Sequence, residues 1–370
     1  MESTKKKVIF VNNPAAINGG ALTILKQFII YVAKKYSDRY KFYIFCTADL
    51  KEFECENIKI IDNIKGKKWI DRVYWDIIGL KRWSKNNNID PDIIISLQNT
   101  GIGSFKNVKQ IIYLHQSLPY YSNVKWNPFA KAERKYWFYR YIYKLIINYT
   151  IKDKYLIVQT DWMKQAVSYQ HKFEKNKIFV IKPYCGDIIT NKFIEKENLS
   201  LFYPANCEIY KNHEVLFQSI KDIKQKSEFK NIKLFLTLEK ENSRYICKLI
   251  KKYDIENNVI FLGALSHKKV MEYYQKCSLV VFPSYIETVG LPLIEAAKYG
   301  KPIVVSNLEY SREVLKDYSG ANFVEFNNSG EWSKAILNNL YNTTTYEYSL
   351  NNTNYSWEKF VEIINECENF

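Results

Sequence analysis

Two glutamates toward the C-terminal end of the sequence, Glu287 and Glu295, are spaced for contact with one ligand. A β-branched run ends at Pro283–Ser284, and the loop that follows carries Glu287. Pro292 stands where a helix's first turn is expected, since proline loses no hydrogen bond there, and Gly300 is typical of a helix end. Glu287 therefore precedes the predicted helix, and Glu295 lies about one turn inside it. Both carboxylates could accept hydrogen bonds from sugar hydroxyls.

The loop between the two glutamates predicts an anion site. Backbone N–H groups at the start of a helix lack partners within the helix, and the helix dipole places partial positive charge there. We expect Thr288, Val289, Gly290 and Leu291 to present such groups. The arrangement is suited to a diphosphate.

The surrounding sequence resembles a known family. Glu287-x7-Glu295, set in FPSYIETVGLPLIEAAKYGKPIVVS, is similar to the E-x7-E signature of the retaining GT-B glycosyltransferases of family GT4. The likeness extends to the segments VIFVNNPAAINGGALTIL, FYPANCEIYKNHEVL and YSWEKFVEII. It implies a transferase that moves a sugar from a nucleotide diphosphate donor to a hydroxyl acceptor with retention of configuration, in capsule, O-antigen or other surface polysaccharide synthesis.

The resemblance also implies roles for single residues. Glu287 would contact the donor sugar ring and Glu295 the ribose hydroxyls, while Lys211 would neutralise the diphosphate as a point charge. Gly19 and Gly20 match the family's glycine loop, and Gly20 would let the backbone approach the phosphates.

One further residue in the N-terminal half matches the family, and two positions depart from it. His115, after the apolar run IIYL, resembles the histidine beside the reacting sugar, and it would bond a hydroxyl or steady developing charge. Asn206 stands at a donor-binding position where arginine is common, which removes one positive charge from the diphosphate. Thr288–Val289 replaces a common Gly-Phe pair.

Neither a cofactor nor a metal is expected. The sequence has no D-x-D element at a strand end, and its 7 cysteines are scattered without a C-x-x-C pair. Positive charge on the leaving diphosphate would instead come from Lys211 and from helix N-termini. The expected partners are a nucleotide-sugar donor and a glycan or polyprenyl-diphosphate-linked acceptor.

The pattern of apolar runs predicts an α/β fold, and the resemblance makes it the GT-B fold, with two Rossmann-like doubly wound domains facing a central cleft. Strand-like runs alternate with helical segments in each half, which indicates mostly parallel sheets. We place an acceptor-binding domain at residues 1–185 and a donor-binding domain at 186–353. An amphipathic helix at 354–370 would cross back to the first domain.

The formal net charge of +15 and one aromatic segment raise the question of a surface partner. Lys125 to Lys154 holds eight basic and two acidic residues and is dense in Trp, Tyr and Phe. This composition fits an interfacial membrane anchor with Arg134, Lys135 and Arg140 facing the lipid. It equally fits a helix that packs its aromatics into the core.

The expected location is the cytoplasm, with peripheral attachment to the inner face of the plasma membrane if the aromatic segment is an anchor. The apolar stretch after the first lysines is too short for a signal-peptide core. Two other functions stay open: a nucleotide-sugar epimerase, which can share the fold, and a nucleic-acid-binding protein, which rests only on charge and aromatics.

Overall fold

The computed structural model alternates strands and helices along two units of the chain. It describes residues 6–17, 19–36, 38–66, 68–171, 173–183, 199–341, 344–348 and 357–369. One unit combines Met1–Pro183 with Thr353–Phe370, and the other is Tyr184–Asn352. The boundary residues predicted from sequence, 185–186 and 353–354, lie outside the described residues.

Within the described residues, the first unit holds a seven-stranded parallel sheet of order β3-β2-β1-β4-β5-β6-β7. The strands are β1 (Lys7–Asn13), β2 (Tyr40–Cys46), β3 (Ile58–Ile61), β4 (Ile93–Ser96), β5 (Lys109–Leu114), β6 (Tyr155–Val158) and β7 (Ile178–Val180). The helices are α1 (Gly19–Lys35), α2 (Trp69–Tyr74), α3 (Leu80–Asn87), α4 (Arg134–Trp137), α5 (Lys144–Ile151) and α6 (Asp161–His171). Central strands such as β4 are buried along their whole length, as expected when helices cover both faces.

The described part of the second unit holds a six-stranded parallel sheet of order β10-β9-β8-β11-β12-β13. Its strands are β8 (Ser200–Tyr203), β9 (Lys233–Leu236), β10 (Val259–Phe261), β11 (Leu279–Phe282), β12 (Ile303–Ser306) and β13 (Ala321–Val324). Its helices are α7 (His213–Ile223), α8 (Arg244–Lys252), α9 (His267–Lys276), α10 (Leu291–Lys298), α11 (Glu309–Val314) and α12 (Ser329–Leu340).

Each sheet has a point at which the order of its strands reverses. In the first sheet this point lies between β1 and β4, and in the second it lies between β8 and β11. The loops that leave two such strands diverge to opposite faces, so a crevice opens at their carboxyl ends, where ligands of open α/β sheets bind. The two reversal points are therefore the places to look for sites.

The last helix of the described chain, α13 (Trp357–Asn369), completes the core of the first unit. Phe360 and Ile364 are fully buried in one cluster with Phe28. The rings of Phe28 and Phe360 meet edge to face at 5.5 Å, and the Tyr40 hydroxyl donates to Asn365 at 2.6 Å. The amphipathic helix predicted at this end of the sequence is present.

Two helices of the first unit contain π-helical segments. Trp75–Gly79 joins α2 to α3, and Phe138–Tyr143 joins α4 to α5, so residues 69–87 and 134–151 each form one continuous helical rod. The helix expected over the aromatic segment thus begins at Arg134, and residues 125–133 before it form turns and loops. None of the helices in the described residues is long and apolar enough to cross a membrane.

Candidate active site

The strongest sequence motif folds as a strand, a loop and a helix in the second unit. Strand β11 ends at Phe282, and α10 begins at Leu291 with Pro292 in its first turn, as predicted. Gly290 precedes the helix at φ +76, a left-handed conformation that side chains other than glycine rarely adopt. The Tyr310 hydroxyl donates to the Ser284 carbonyl at 2.7 Å and holds the start of the loop.

Glu287 forms an ion pair with Lys211, the residue predicted to bind the diphosphate. The lysine side chain is 13% exposed and the glutamate side chain 15% exposed. Lys211 follows β8 and Glu287 follows β11, so the pair lies at the reversal point of the second sheet. The structure thus brings together two predicted donor-binding residues that are 76 positions apart in sequence.

The backbone on either side of Lys211 is fixed by side chains. The Tyr203 hydroxyl donates to the Lys211 carbonyl at 2.7 Å. Asn212 takes a left-handed conformation at φ 56, and its Nδ2 donates to the Phe326 carbonyl at 2.7 Å. These hydrogen bonds hold the backbone that carries the Lys211 ammonium. Because the ion pair is mostly buried, loss of one partner would leave the charge of the other poorly solvated.

Glu295 lies on α10 and is held by two residues that the sequence analysis did not single out. The Tyr274 hydroxyl donates to Glu295 Oε2 at 3.0 Å, and His267 Nε2 lies 3.3 Å from Oε1. Burial raises the pKa of Glu295, against the opposing effects of His267 and Tyr274. Both partners belong to α9, where His267 is the first residue and Tyr274 lies two turns later. Helical periodicity therefore predicts that their side chains lie on the same face of α9.

The remaining residues that were predicted to bind the nucleotide-sugar donor differ in their exposure. Asn206 is exposed after β8, where its Oδ1 accepts from the Glu208 N–H at 3.3 Å. Thr288 is partly exposed, whereas Val289 is buried at 3% exposure, and Leu291 is 37% exposed. The side chain of Val289 therefore points into the protein and supports the loop.

Gly19 and Gly20 are the first two residues of α1 in the first unit. The sequence predicted a loop at these two residues before the helix, and the structure corrects that position. The helix can begin at Gly19 because glycine tolerates the conformation of a helix start. Their backbone N–H groups thereby belong to the first turn, where intrahelical partners are missing.

His115 follows β5 in the first unit. Its backbone N–H donates to Asn99 Oδ1 at 2.8 Å, and its ring packs 5.8 Å from that of Tyr113. Burial lowers the pKa of His115 to about 4, so the imidazole is neutral near pH 7. Its Nδ1 has no hydrogen-bond partner among the described residues.

The aromatic segment forms part of an exposed apolar surface in the first unit, here called the apolar platform. Trp69 on α2 meets Phe138 of the other rod, with ring centroids 6.0 Å apart. The platform is defined by the large apolar side chains that these two rods expose to solvent, which are Trp69, Ile70, Tyr74, Ile77 and Ile78 on the first rod, and Tyr141, Ile142, Leu145 and Tyr149 on the second.

The three cations predicted to face lipid differ in their exposure. Arg134 and Lys135 are exposed at the start of the second rod, where Arg134 Nε donates to the Pro128 carbonyl at 3.3 Å. Arg140 donates through Nη1 to the Pro119 carbonyl at 2.5 Å, which ties it to the protein backbone. Only the first two are therefore well placed to meet an external surface.

In the part of the chain that the structure describes, no group of three or more His, Cys, Asp or Glu side chains is arranged to hold a metal ion.

Comparison with known proteins gives a family match in the C-terminal half and a fold for the chain. Residues 187–355 match the family described as Glycosyl transferases group 1. The O-antigen chain mannosyltransferase RfbU of Salmonella typhimurium is 25% identical over 231 residues, which span 62% of this chain and 60% of that protein. The alignment thus covers less than two thirds of that relative.

Two solved structures resemble the chain over most of its length. A glycosyltransferase from Rickettsia africae superposes with a TM-score of 0.66 at 18% identity and covers 99% of both chains. Anabaena Alr3699/HepE, solved in complex with UDP and glucose, gives 0.62 at 17% identity over 92% of this chain and 91% of that one. These likenesses, with the two parallel sheets, confirm the predicted GT-B fold class.

Proposed function

We propose that this chain transfers a sugar from a nucleoside-diphosphate donor to a hydroxyl acceptor, since residues 187–355 match the family described as Glycosyl transferases group 1. The observation that carries the proposal is the pair of Lys211 and Glu287 at the reversal point of the second sheet. One member is a cation suited to a diphosphate, and the other is a carboxylate suited to sugar hydroxyls.

The paired residues supply complementary halves of one donor site. When the donor binds, its diphosphate replaces Glu287 as the partner of the Lys211 ammonium, and a sugar hydroxyl donates to Glu287 in place of the lysine. Glu295 binds the ribose hydroxyls, and its Tyr274 and His267 contacts hold the carboxylate in position. Charge that develops on the leaving diphosphate meets Lys211 and the N-terminus of α10, which act without reorganisation.

We also propose that the anomeric configuration is retained, as the E-x7-E resemblance implies. An inverting enzyme needs a general base at the acceptor hydroxyl. A departing diphosphate oxygen can take that proton itself when the acceptor and the leaving group share one face of the sugar. Retention follows from this geometry, and His115 then serves as a neutral hydrogen-bonding group.

A panel of uridine, guanosine and adenosine diphosphate sugars tests the function. One donor should raise the melting temperature, because a ligand present at 100 times its Kd stabilises the folded state by about 2.7 kcal/mol. The same donor should then glycosylate an octyl glycoside. Proton NMR of the product should show the donor's anomeric configuration.

The outcomes separate the alternatives. Absence of a shift and of a product with every donor would contradict a transferase. An isomerised sugar formed from donor alone would support the epimerase instead. An inverted product would leave the transferase standing and remove the retaining mechanism.

Transfer is expected to survive chelation. Because we assign the charge on the leaving diphosphate to Lys211 and to backbone dipoles, excess EDTA should leave the initial rate of transfer within about twofold of the untreated rate. The rate is measured with the stabilising donor before and after dialysis against the chelator. A loss that Mg²⁺ or Mn²⁺ restores would show that a metal serves the reaction.

The acceptor we propose is a growing glycan carried on a polyprenyl diphosphate lipid at an anionic membrane surface. The apolar platform supports this, since it exposes Ile70 at 73% and Leu145 at 62% beside the exposed cations Arg134 and Lys135. Aromatic and aliphatic side chains flanked by Lys and Arg are the composition of an interfacial anchor. A lipid-linked acceptor and its enzyme would then meet in the plane of the membrane.

A further inference from the structure

A partly exposed carboxylate lies at the reversal point of the first sheet. Asp76 belongs to the π-helical segment Trp75–Gly79, and it contacts residues from the carboxyl ends of both strands at that point. Asn12, near the end of β1, donates through Nδ2 to Asp76 Oδ1 at 3.0 Å. Gln98, two residues after β4, donates through Nε2 to both carboxylate oxygens, at 2.8 Å each.

The groups around this carboxylate are themselves held in place. Trp75 Nε1 donates to Asn12 Oδ1 at 2.9 Å, and the Ser104 hydroxyl donates to the Asp76 carbonyl at 3.2 Å. The Tyr143 hydroxyl donates to the backbone carbonyl of Gln98 at 3.4 Å. The carboxylate and the Gln98 amide therefore keep one geometry, as binding groups must.

The cluster has more hydrogen-bond acceptors than donors. Gln98 is 7% exposed, and its Oε1 has no partner among the described residues. The Asp76 carboxylate accepts from Asn12 and Gln98, and Thr100 also hydrogen-bonds to it, whereas its two oxygens together can accept about four bonds. A buried acceptor without a donor costs free energy, so such an atom in a native structure calls for an explanation.

The kind of ligand follows from these groups. Acceptor oxygens are complementary to hydroxyl groups, and a carboxylate repels a phosphate. Burial raises the pKa of Asp76 to about 7, while its bonds from Asn12 and Gln98 act in the opposite direction. Arg72, one turn before it on the same rod, also lowers that pKa. The group thus keeps substantial carboxylate character near neutral pH, where it can accept from a neutral polyol.

We propose that Asp76 and Gln98 bind hydroxyl groups of the acceptor sugar, an assignment that rests on the proposed transferase function. Asp76 accepts a hydrogen bond from one hydroxyl through Oδ2, and Gln98 Oε1 accepts from a second. Ile77 and Ile78, the next two residues along the chain, are exposed on the apolar platform. One helical segment thereby carries both a sugar-binding carboxylate and the side chains proposed to meet the membrane.

The test measures steady-state kinetics with octyl glycosides of glucose, galactose and mannose as acceptor probes. In Asp76→Asn the KM for the best acceptor should rise about 10-fold or more, the usual loss for a hydrogen bond to a charged group. The KM for the donor, and the thermal shift that the donor produces, should stay unchanged. Gln98→Ala should have the same selective effect, and it keeps the test valid if Asp76→Asn folds poorly.

Asp71→Asn is the matched control, because Asp71 lies on the same helical rod and has no side-chain partner among the described residues. It should leave the acceptor KM unchanged. Folded Asp76→Asn and Gln98→Ala proteins with wild-type acceptor KM would overturn the acceptor site while the transferase stands. A wild-type protein that transfers sugar to no acceptor and binds no donor would overturn the proposed function itself, and the acceptor site with it.

Discussion

Lys211→Ala is expected to lower the turnover number of sugar transfer by about 100-fold or more, the usual effect of removing one group that stabilises charge in a transition state. Lys211 is the cation at the reversal point of the second sheet, and its Nζ contacts Glu287. Glu287→Ala should reduce turnover comparably, since it removes the carboxylate assigned to the donor sugar. Glu295→Ala should mainly raise the donor KM. Turnover is measured at saturating donor and acceptor.

Two controls separate chemistry from folding. Lys248→Ala and Glu241→Gln change exposed residues of the same unit and should keep wild-type rates. Each single variant of the pair leaves a poorly solvated charge, whereas Lys211→Met combined with Glu287→Gln leaves none. The double variant should therefore be more stable than the two single changes would predict if they were additive. Near wild-type turnover in both alanine variants would refute the donor site.

The second large effect concerns the apolar platform. Ile70→Glu combined with Leu145→Glu should reduce the partition of the protein onto phosphatidylglycerol vesicles by about 100-fold or more, because burial of each side chain contributes about 1.5 to 3 kcal/mol. The wild-type protein should sediment with these vesicles and be released by salt, which screens the attraction. Arg134→Glu with Lys135→Glu should weaken binding further, at about 1 kcal/mol for each cation.

The control for this experiment is Ile30→Glu, which alters an exposed isoleucine of α1 in the same unit. It should sediment as the wild type does. Arg140 is left unchanged, because it donates a hydrogen bond to the Pro119 carbonyl and its replacement could disturb the fold. Equal sedimentation of the wild type with neutral and anionic vesicles, unaffected by Ile70→Glu and Leu145→Glu, would favour a platform that only supports the fold.

The sequence predicts the local geometry around α10 well because its signals are local. Pro292 and Gly300 act within a turn of their own positions, and the helix between them begins and ends near these residues. Strand β7 and strand β13 were not predicted, since IFV and ANFV are too short to show a period. Gly19 and Gly20 were placed in a loop before their helix, because helix starts are weakly marked in sequence.

Contacts between distant segments could not be read in the same way. Lys211 and Glu287 meet because β8 and β11 are neighbours, and strand order is not visible in the periodicity of either segment. Asp76 shows the same limitation. In sequence it is one acidic residue in the apolar run WDIIG, and its contacts with Asn12 and Gln98 come from the ends of two strands elsewhere in the chain.

The position of α13 in the core of the first unit has a consequence for synthesis on the ribosome. A chain emerges from its N-terminus, and domains generally fold as units during translation, at about 5 to 20 residues per second. Residues of the first unit up to Pro183 emerge before the whole of the second, yet Phe28 gains its contact with Phe360 only after the second unit has been made. The unit that starts first is therefore the one that finishes last. During that interval the surface under α13 is open to chaperones, and the second unit can complete its own fold independently.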